Sequence, residues 1–415
     1  MLWSLIRIAF RNVTRNTKRS LITMAAIIIG CACIVFARGF MNGLHKGMID
    51  GITQTITGDV QIHHKDYLKA TDALPLNLSV RMDDALLDVL KAEPRIDAWS
   101  GRLRFTGMLS NGLSTTLFIG NAIDPEHEYK VTPDLEADVI APGRSISNDE
   151  AEGVVIADRL AKAMKLSVGD SLTLTASTKD GALNTLDVTV LGIRKATGAF
   201  SGTEGKMVDM PLKTAQQLLY MEGEVTEVVL NVPDHEKIEE VAIALQQRIE
   251  QQAPQLNLAV NDWRTVSAFF VNILSMQDVV LWIVIIVLFA VMITGIVNTM
   301  LMAVFERIRE IGTMMAMGVR RKKVVTLFIC EGIALGVIGA IGGVIIGYIV
   351  VQLFHMQGVE FHPAAYNKPV FVRPFVHLTY LGLVVFIAII SALLAAIYPA
   401  YRAAQLEPAE ALRTL

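Results

Sequence analysis

Four apolar segments, each about as long as a lipid bilayer is thick, constrain this chain more than any other feature. They lie at 21 to about 37, 279 to about 304, 324 to about 354, and about 377 to 398. A helix needs about 20 apolar residues to cross a hydrocarbon core of roughly 30 Å. Charged residues make up 19% of the sequence, too many for a chain wholly in lipid. We therefore predict four transmembrane helices plus a sizeable water-exposed domain.

Lysine and arginine residues are distributed unevenly around these segments. Five lie in 1–20, six in the connector 305–323, and two in the loop 355–375. Cytoplasmic loops are enriched in Lys and Arg, so the N-terminus and the connector are predicted to face the cytoplasm. Four spans then return the C-terminus to the cytoplasm, and the roughly 230 residues between the first two spans lie outside.

These two patterns together predict the order of segments along the chain. We expect a cytoplasmic amphipathic segment at 1–20, transmembrane helix 1 and a stalk at 21–57, an extracytoplasmic α/β domain at 58–262, a stalk and transmembrane helix 2 at 263–304, a cytoplasmic amphipathic helix at 305–323, transmembrane helix 3 at 324–354, an extracytoplasmic loop at 355–376, transmembrane helix 4 at 377–399, and a cytoplasmic tail at 400–415.

The segment 58–262 shows both strand and helix patterns. Alternating or Val- and Leu-rich runs predict strands, and apolar residues at helical spacing predict helices. The predicted strands lie at 58–64, 171–176, 187–193 and 227–232, and the predicted helices at 156–170, 211–221 and 235–252. A domain of this length can bury its own core. The predicted fold class is thus an α-helical integral membrane protein with a large mixed α/β extracytoplasmic domain inserted between helices 1 and 2.

The sequence carries no recognisable catalytic pattern. It contains neither a Gly-x-Ser-x-Gly elbow nor a His-Glu-x-x-His pair. His63 and His64 are neighbours in a predicted strand and point to opposite faces, which favours surface or partner contacts over one shared metal ion. The net charge of −3 gives no basic bias toward nucleic acid. We predict a non-catalytic chain that binds neither metal nor nucleic acid.

All three cysteines, Cys31, Cys33 and Cys330, lie in apolar segments, so no disulfide framework is predicted. The stretch "AIIIGC", which ends at Cys31, also fits a lipoprotein signal that follows a basic N-terminus. Cleavage there would remove most of the first span. The apolar helix continues past Cys31, which favours an uncleaved transmembrane helix.

Apolar residues at helical spacing continue beyond the first span and precede the second. Phe40, Leu44, Met48 and Ile52 recur every four residues, and a similar stripe occupies 266–274. The two helices either extend above the bilayer as a stalk or end in connectors packed on the outer domain. Four residues near these boundaries are candidates for lining an apolar cavity, with core packing as the alternative: Phe40, Leu44, Phe269 and Phe270.

Small residues recur every four positions in the third span. One row contains Gly332 and Gly336, and another contains Gly339, Gly343 and Gly347. Small residues at this spacing let helices approach closely in lipid. We therefore predict that both rows pack against another span or against a second subunit.

An acidic residue, Glu331, lies inside the cytoplasmic end of the same span. A carboxylate at that depth is costly unless it is paired or reached by water. Pairing with an Arg or Lys of the connector is favoured over a role as a proton relay.

The connector "FERIREIGTMMAMGVRRKK" is longer and more amphipathic than two joined spans require. Its apolar residues fall on one side of a helix and its charged residues on the rest. From the residues alone, two roles remain open. The helix docks in a groove of a cytoplasmic partner, or it lies among the lipid headgroups with its basic tail on anionic lipid.

Several motifs resemble one membrane-protein family. "ERIREIGTMMAMG" at 306–318 and "YPAYRAAQLEPAEALR" at 398–413 resemble the signatures of the FtsX/MacB-type superfamily, the mechanotransmitting type VII ABC transporters. Weaker similarities are "NVTRNTKRSLIT" at 12–23, "GDVQIHH" at 58–64 and "FICEG" at 328–332. The resemblance covers essentially the whole chain. It implies a multi-pass protein of the bacterial inner membrane, with both termini cytoplasmic.

The resemblance also implies roles for particular residues. Permeases of this family work as pairs, and the connector is their coupling helix, which docks on a separate ABC ATPase. The coupling residues implied by the motif are Glu306, Arg307, Arg309, Glu310, Gly312, Ala316 and Gly318. The closing motif places a second group beside the same face: Pro399, Arg402, Ala403, Pro408, Ala411 and Leu412. The sequence lacks a Gly-x-x-x-x-Gly-Lys-Ser/Thr loop, so we expect no cofactor on this chain, and ATP and Mg²⁺ on the partner ATPase.

Three branches of the family compete as the function. Lipoprotein-releasing permeases of the LolC/LolE type have this length and layout without a fused ATPase, and we favour that branch. The alternatives are MacB-like efflux, with a periplasmic adaptor and an outer-membrane channel, and FtsX-like signalling to cell-wall hydrolases. The expected partners are an ATPase, a second permease chain in a homo- or heterodimer, membrane lipid, and an adaptor or a lipoprotein carrier.

Overall fold

The computed structural model describes residues 17–195, 204–234, 237–361 and 370–406. These residues belong to two compact units. The helical unit lies within Met1–Lys46, Leu274–Glu360 and Phe371–Leu415, and the sheet domain within Gly47–Ile273 and Phe361–Val370. Most of the N-terminal segment predicted at 1–20, and Pro408, Ala411 and Leu412 of the closing motif, lie outside the described residues.

Helices in the described part of the chain are numbered in chain order. They are α1 (Thr17–Ile52), α2 (Asp84–Lys91), α3 (Pro125–Val131), α4 (Pro133–Ala137), α5 (Asp158–Met164), α6 (Leu212–Leu219), α7 (Ile238–Gln252), α8 (Trp263–Val266), α9 (Ala268–Glu306), α10 (Ile308–Ala316), α11 (Arg321–Gln357) and α12 (Leu378–Ala404). A π-helical turn, Thr53–Thr57, follows α1, and short 3₁₀ turns lie at Tyr67–Ala73, Leu76–Leu78 and Pro254–Leu256.

Strands are numbered in the same way. They are β1 (Val60–His64), β2 (Val80–Arg81), β3 (Ala98–Ser110), β4 (Thr115–Ile123), β5 (Val139–Ile140), β6 (Gly153–Ala157), β7 (Ser171–Ser177), β8 (Leu183–Arg194), β9 (Met207–Pro211), β10 (Glu224–Val225), β11 (Glu227–Asn231), β12 (Leu258–Asp262), β13 (Val359–Phe361) and β14 (Val370–Val372).

Four of these helices, α1, α9, α11 and α12, are long and apolar enough to cross a membrane. The mixed α/β domain follows the first of them, as the sequence predicts, so the predicted fold class is confirmed. Helices α1, α9 and α11 each contain more than 35 residues, longer than a span needs at 1.5 Å per residue. Their apolar character arises from nearly unbroken runs of Leu, Ile, Val and Ala.

A single large mixed sheet organises the sheet domain. Its strands follow the order β12-β1-β11-β3-β4-β9-β6-β8-β5, and β7 pairs with both β3 and β8. Most pairs are antiparallel, whereas β4 with β9 and β6 with β8 are parallel. The first strand after α1, β1, is antiparallel to β12, the last strand before α8 and α9, with Val60 opposite Asp262.

Local sequence explains where several elements begin. The carboxylate of Asp83 accepts the Leu86 N–H at 3.0 Å, and that of Asp262 accepts the Thr265 N–H at 3.0 Å, so each caps a helix start. The helix predicted at 156–170 covers only Asp158–Met164, because Lys165 has a left-handed backbone with φ 55° and Gly153–Ala157 forms a fully buried strand. The run of Val and Ile in this strand is typical of a strand that is covered on both faces.

Candidate coupling site

The connector between α9 and α11 is a short helix set off by a break on each side. Helix α9 ends at Glu306, and Arg307 has φ −109° and ψ 18°, outside the helical region. The chain then resumes as α10, so the predicted amphipathic helix exists but is not continuous with the preceding span. Ile311 and Gly312 are its buried residues.

Gly318 follows the end of α10 and has the left-handed backbone geometry that favours glycine. Its φ is +88°, and its N–H donates to the Met315 carbonyl at 3.0 Å. The next N–H, from Val319, donates to the Met314 carbonyl at 3.1 Å. This paired arrangement is a Schellman motif, in which a left-handed residue just past the helix is usually Gly. The glycine implied by the family motif therefore has a local structural cause.

The seven coupling residues implied by the family motif fall into two groups. The exposed ones are Glu306, Arg309, Glu310, Ala316 and Gly318, and the buried ones are Arg307 and Gly312. The exposed set offers charge at the surface, as a docking helix requires. The buried set instead fixes the connector to the helical unit.

Arg307 is held by a carboxylate from the third long helix. Its Nη1 lies 3.2 Å from Oε2 and 3.4 Å from Oε1 of Glu331. Arg307 is 7% exposed and Glu331 2%. The connector thus supplies the base expected to pair with Glu331. This buried pair joins the start of α10 to α11. Removing either partner would leave the other charge buried alone, which is strongly destabilising.

The two glycine rows of α11 face two different helices. A Cβ added to Gly332 would lie 2.6 Å from the Cβ of Ala396, and one added to Gly336 would lie 2.4 Å from that of Ala392. Both alanines belong to α12. This row therefore allows α11 and α12 to approach more closely than any larger residue would permit.

The second row packs against α1. A Cβ added to Gly339 would lie 2.7 Å from the Ile27 side chain. One added to Gly343 would lie 2.6 Å from the Ile28 carbonyl oxygen, and Gly347 faces Ala32 and Val35 at about 3 Å. Helix α11 therefore packs against α12 through one glycine row and against α1 through the other.

Polar contacts that the sequence analysis missed join α1 and α9. Arg38 Nη1 lies 3.0 Å from Asp278 Oδ1, and His45 Nε2 lies 3.0 Å from Gln277 Oε1. Each of these residues lies at the boundary between an apolar segment and a polar one. Isolated charged residues at the ends of two spans were the available signal for this pairing.

The four residues proposed to line a cavity have different environments. Phe40 is half-buried and Leu44 is buried in the helical unit. In the sheet domain, Phe269 is 64% exposed, whereas Phe270 is 1% exposed. The Phe270 ring packs edge-on against Trp263, with ring centroids 6.4 Å apart. Core packing, the alternative role, thus describes Phe270.

Comparison with known proteins identifies the family. Residues 20–248 match the MacB-like periplasmic core domain, and residues 282–408 match the FtsX-like permease C-terminal domain. The chain belongs to the FtsX/MacB-type permeases. This family of ABC transporter permeases is the one that the motifs resemble, and it makes the chain a multi-pass protein of the bacterial inner membrane.

Curated relatives of this permease carry two kinds of name. It is 24% identical to the "Lipoprotein-releasing system transmembrane protein LolE" of Haemophilus influenzae, over 93% of this chain and 92% of that protein. It is 26% identical to the "Macrolide export ATP-binding/permease protein MacB 2" of Aeromonas hydrophila, over 98% of this chain. The chain spans 60% of the length of that second relative.

A solved structure also matches the permease in part. The periplasmic region of MacB from Actinobacillus actinomycetemcomitans aligns with 53% of this chain and 96% of its own, at 12% identity and a TM-score of 0.38.

Proposed function

We propose that this permease is the transmembrane subunit of a lipoprotein-releasing ABC transporter. The observation that carries the proposal is the end-to-end match with the relative named as a lipoprotein-releasing protein, over more than nine tenths of both chains. A separate ATPase binds ATP and Mg²⁺, and a second permease chain completes the complex. The N- and C-termini and the connector lie in the cytoplasm.

The connector geometry supports the same proposal. Glu306, Arg309 and Glu310 are exposed on a short helix whose start is fixed by the buried Arg307–Glu331 pair. A rigidly held helix with an exposed charged face can dock on a partner and pass on its movement. Helix α1 then continues unbroken from Thr17 to Ile52. Closure of the ATPase pair is therefore transmitted along the long helices to the sheet domain.

A reconstitution experiment tests this function. The permease is purified with its ATPase and second permease chain, placed in vesicles with an acylated lipoprotein, and given ATP and a soluble carrier. ATP-dependent transfer of the acylated protein to the carrier is expected. Transfer of macrolides or peptides instead, through an adaptor, would support the MacB-like alternative that the second relative favours. ATP-dependent activation of a cell-wall hydrolase without any cargo would support FtsX-like signalling.

A charge reversal in the connector tests the coupling step. Glu310→Lys is expected to reduce ATP-driven release about tenfold or more, because one lost charged docking contact costs on the order of 1.4 kcal/mol or more. ATP hydrolysis by the ATPase should persist, and the melting temperature should stay unchanged because Glu310 is exposed. Glu222→Lys, an exposed charge reversal in the sheet domain, is the matched control and should release normally. Wild-type release by Glu310→Lys would remove Glu310 from the coupling role.

A further inference from the structure

The outer end of α1 does not run directly into a strand. Its last turn widens into the π-helical segment Thr53–Thr57, which the Gly58 N–H closes by donating to the Thr53 carbonyl at 3.0 Å. Gly58 then has φ +64°, and β1 begins two residues later. Single π-turns in α-helices are frequent at functional sites. Without further contacts, backbone rotation at this glycine would let the helix change its angle to β1.

Two arginines on one strand hold the helix end next to this glycine. Arg102 and Arg104 are two residues apart in β3 and so project from the same face. Both donate to the Ile56 carbonyl, Arg102 through Nη1 and Arg104 through Nη2 at 3.3 Å. The last carbonyls of a helix lack intrahelical partners and carry partial negative charge. The two guanidinium groups supply hydrogen-bond donors and positive charge to the Ile56 carbonyl.

Two buried carboxylates fix the arginines in place. Oε1 of Glu128 accepts from Nε of Arg102 at 3.0 Å and from its Nη2 at 2.5 Å. Oε1 of Glu227 lies 3.4 Å from Nη1 of Arg102 and 3.1 Å from Nε of Arg104. Arg102 is 1% exposed, Glu128 0% and Glu227 3%. Two N–H groups of Arg102 donate to the same oxygen of Glu128, and these buried, charge-assisted bonds leave the guanidinium little freedom to move.

The structure assigns to Arg102 the role of the positioning residue that locks the outer end of α1 to strand β3. Displacement of the helix then reaches the centre of the sheet through the guanidinium, and not only through the backbone at Gly58. This inference rests on the proposed function for its consequence, the coupling of ATP hydrolysis to movement of the sheet domain. The lock itself is a property of the folded chain.

The domain contains a matched control in a second buried arginine. Arg194 is also 1% exposed and also bridges two carboxylates, with Nε 2.9 Å from Asp209 Oδ2 and Nη1 3.3 Å from Glu204 Oε1. Arg194 lies at the end of β8, Asp209 on β9 and Glu204 in the segment before β9, and the hydrogen bonds described for Arg194 include none to residues 53–58. Arg194→Met should therefore resemble Arg102→Met in destabilisation but not in its effect on α1.

Hydrogen exchange on the full chain tests the lock directly. Arg102→Met should speed amide exchange across 53–58 by about tenfold or more, because local opening there no longer breaks the arginine contacts. Arg194→Met should leave exchange of 53–58 as in the wild type. Glu128→Gln, which keeps the shape of the partner, provides a milder variant if Arg102→Met folds poorly, and should give the same change with smaller size. Unchanged exchange in both Arg102→Met and Glu128→Gln would overturn the lock.

Coupling measurements on the reconstituted complex test its consequence. In Arg102→Met, release per ATP hydrolysed should fall about tenfold or more while ATP hydrolysis continues, as expected when only the transmission is lost. In Arg194→Met, that ratio should be kept. Equal loss in both variants would show that burial of charge, rather than the lock, matters, and would overturn the role of Arg102. If the wild-type complex releases nothing with ATP, the proposed function fails, and the exchange experiment still decides whether the lock exists.

Discussion

The two units of this permease bury their polar and small residues in different ways. In the helical unit, close packing depends on glycines of α11, and one buried ion pair, Arg307–Glu331, joins the connector to that helix. In the sheet domain, apolar strands enclose two arginines, Arg102 and Arg194, each bridged by two carboxylates. Both units are well packed, but different residue types keep them so.

The surrounding solvent explains this difference. Lipid is as apolar as the helices, so helix association depends on close van der Waals contact, for which small residues are suited. The sheet domain gains from burying apolar surface away from water, and can therefore offset the cost of enclosing charges that are fully paired. Substitutions of glycine should harm the first unit most, and substitutions that leave a charge unpaired should harm the second.

The largest effect is expected from removing a carboxylate in the sheet domain. Asp209→Ala removes the ion-pair partner of the Arg194 Nε, while the pair with Glu204 remains, and also removes the acceptor of the Asn121 side chain. Breaking a buried pair costs about 3–5 kcal/mol, so a markedly lower Tm is expected in thermal unfolding of the purified chain. Asp66→Ala breaks the exposed pair with Lys69 and serves as the control, with no measurable change expected. Equal Tm values for the two variants would contradict the comparison.

Acid should weaken the sheet domain through His63, which is buried beside Tyr67. Burial lowers the pKa of His63 to about 4; nearby Glu227 opposes this shift, and Arg104 adds to it. The folded protein keeps this ring neutral, whereas the unfolded chain binds a proton below about pH 6.5. Stability is therefore lost as the pH falls from about 6.5 to 4, by up to about 3 kcal/mol.

Substitutions of the adjacent residues His63 and His64 distinguish protonation of His63 from general acid denaturation. His63→Phe keeps the stacking on Tyr67 and should flatten the fall in Tm between about pH 6.5 and 4. His64 bonds to the Asn257 side chain on the other face of β1, and His64→Gln should keep the wild-type pH profile. The same profile in all three proteins would assign the acid sensitivity to other groups.

A glycine of α11 should give the next largest effect, in the helical unit. In Gly343→Ala the new methyl group would lie 2.6 Å from both the Cys31 Cβ and the Ile28 carbonyl oxygen. Overpacking of this kind costs about 1–3 kcal/mol, so the Tm in detergent should fall. Gly295→Ala in α9 meets no atom within 4 Å and should keep or raise the Tm, since Ala favours helix over Gly. The same sign for both variants would show that close helix contact is not what Gly343 provides.

The sequence predicts some of this architecture better than other parts. The spans are readable because the length of an apolar run is a local property, and the glycine rows identify α11 as a packing helix. The assignment of one row to α12 and the other to α1 depends on tertiary structure. Strands β3 and β4 went unrecognised, although "GRLRF" at 101–105 alternates charged and apolar residues as a strand does. The pairing of β3 with β7 and β11 joins segments that are distant in sequence and could not be predicted. Two arginines two residues apart in such a run were the available signal for the buried cluster.

The smallest effect is expected where the helical unit carries an exposed charge pair. The side chains of Arg38 and Asp278 are 31% and 41% exposed, so water screens their attraction, and Asp278→Asn should cost only about 0–1 kcal/mol. Because salt screens exposed pairs, any fall in Tm should shrink further between low and high ionic strength. A loss as large as that of Asp209→Ala, and insensitive to salt, would mean that this pair is as buried as the arginine clusters of the sheet domain. The two units would then differ in where charged residues lie along the long helices, and not in how the interior of each unit packs.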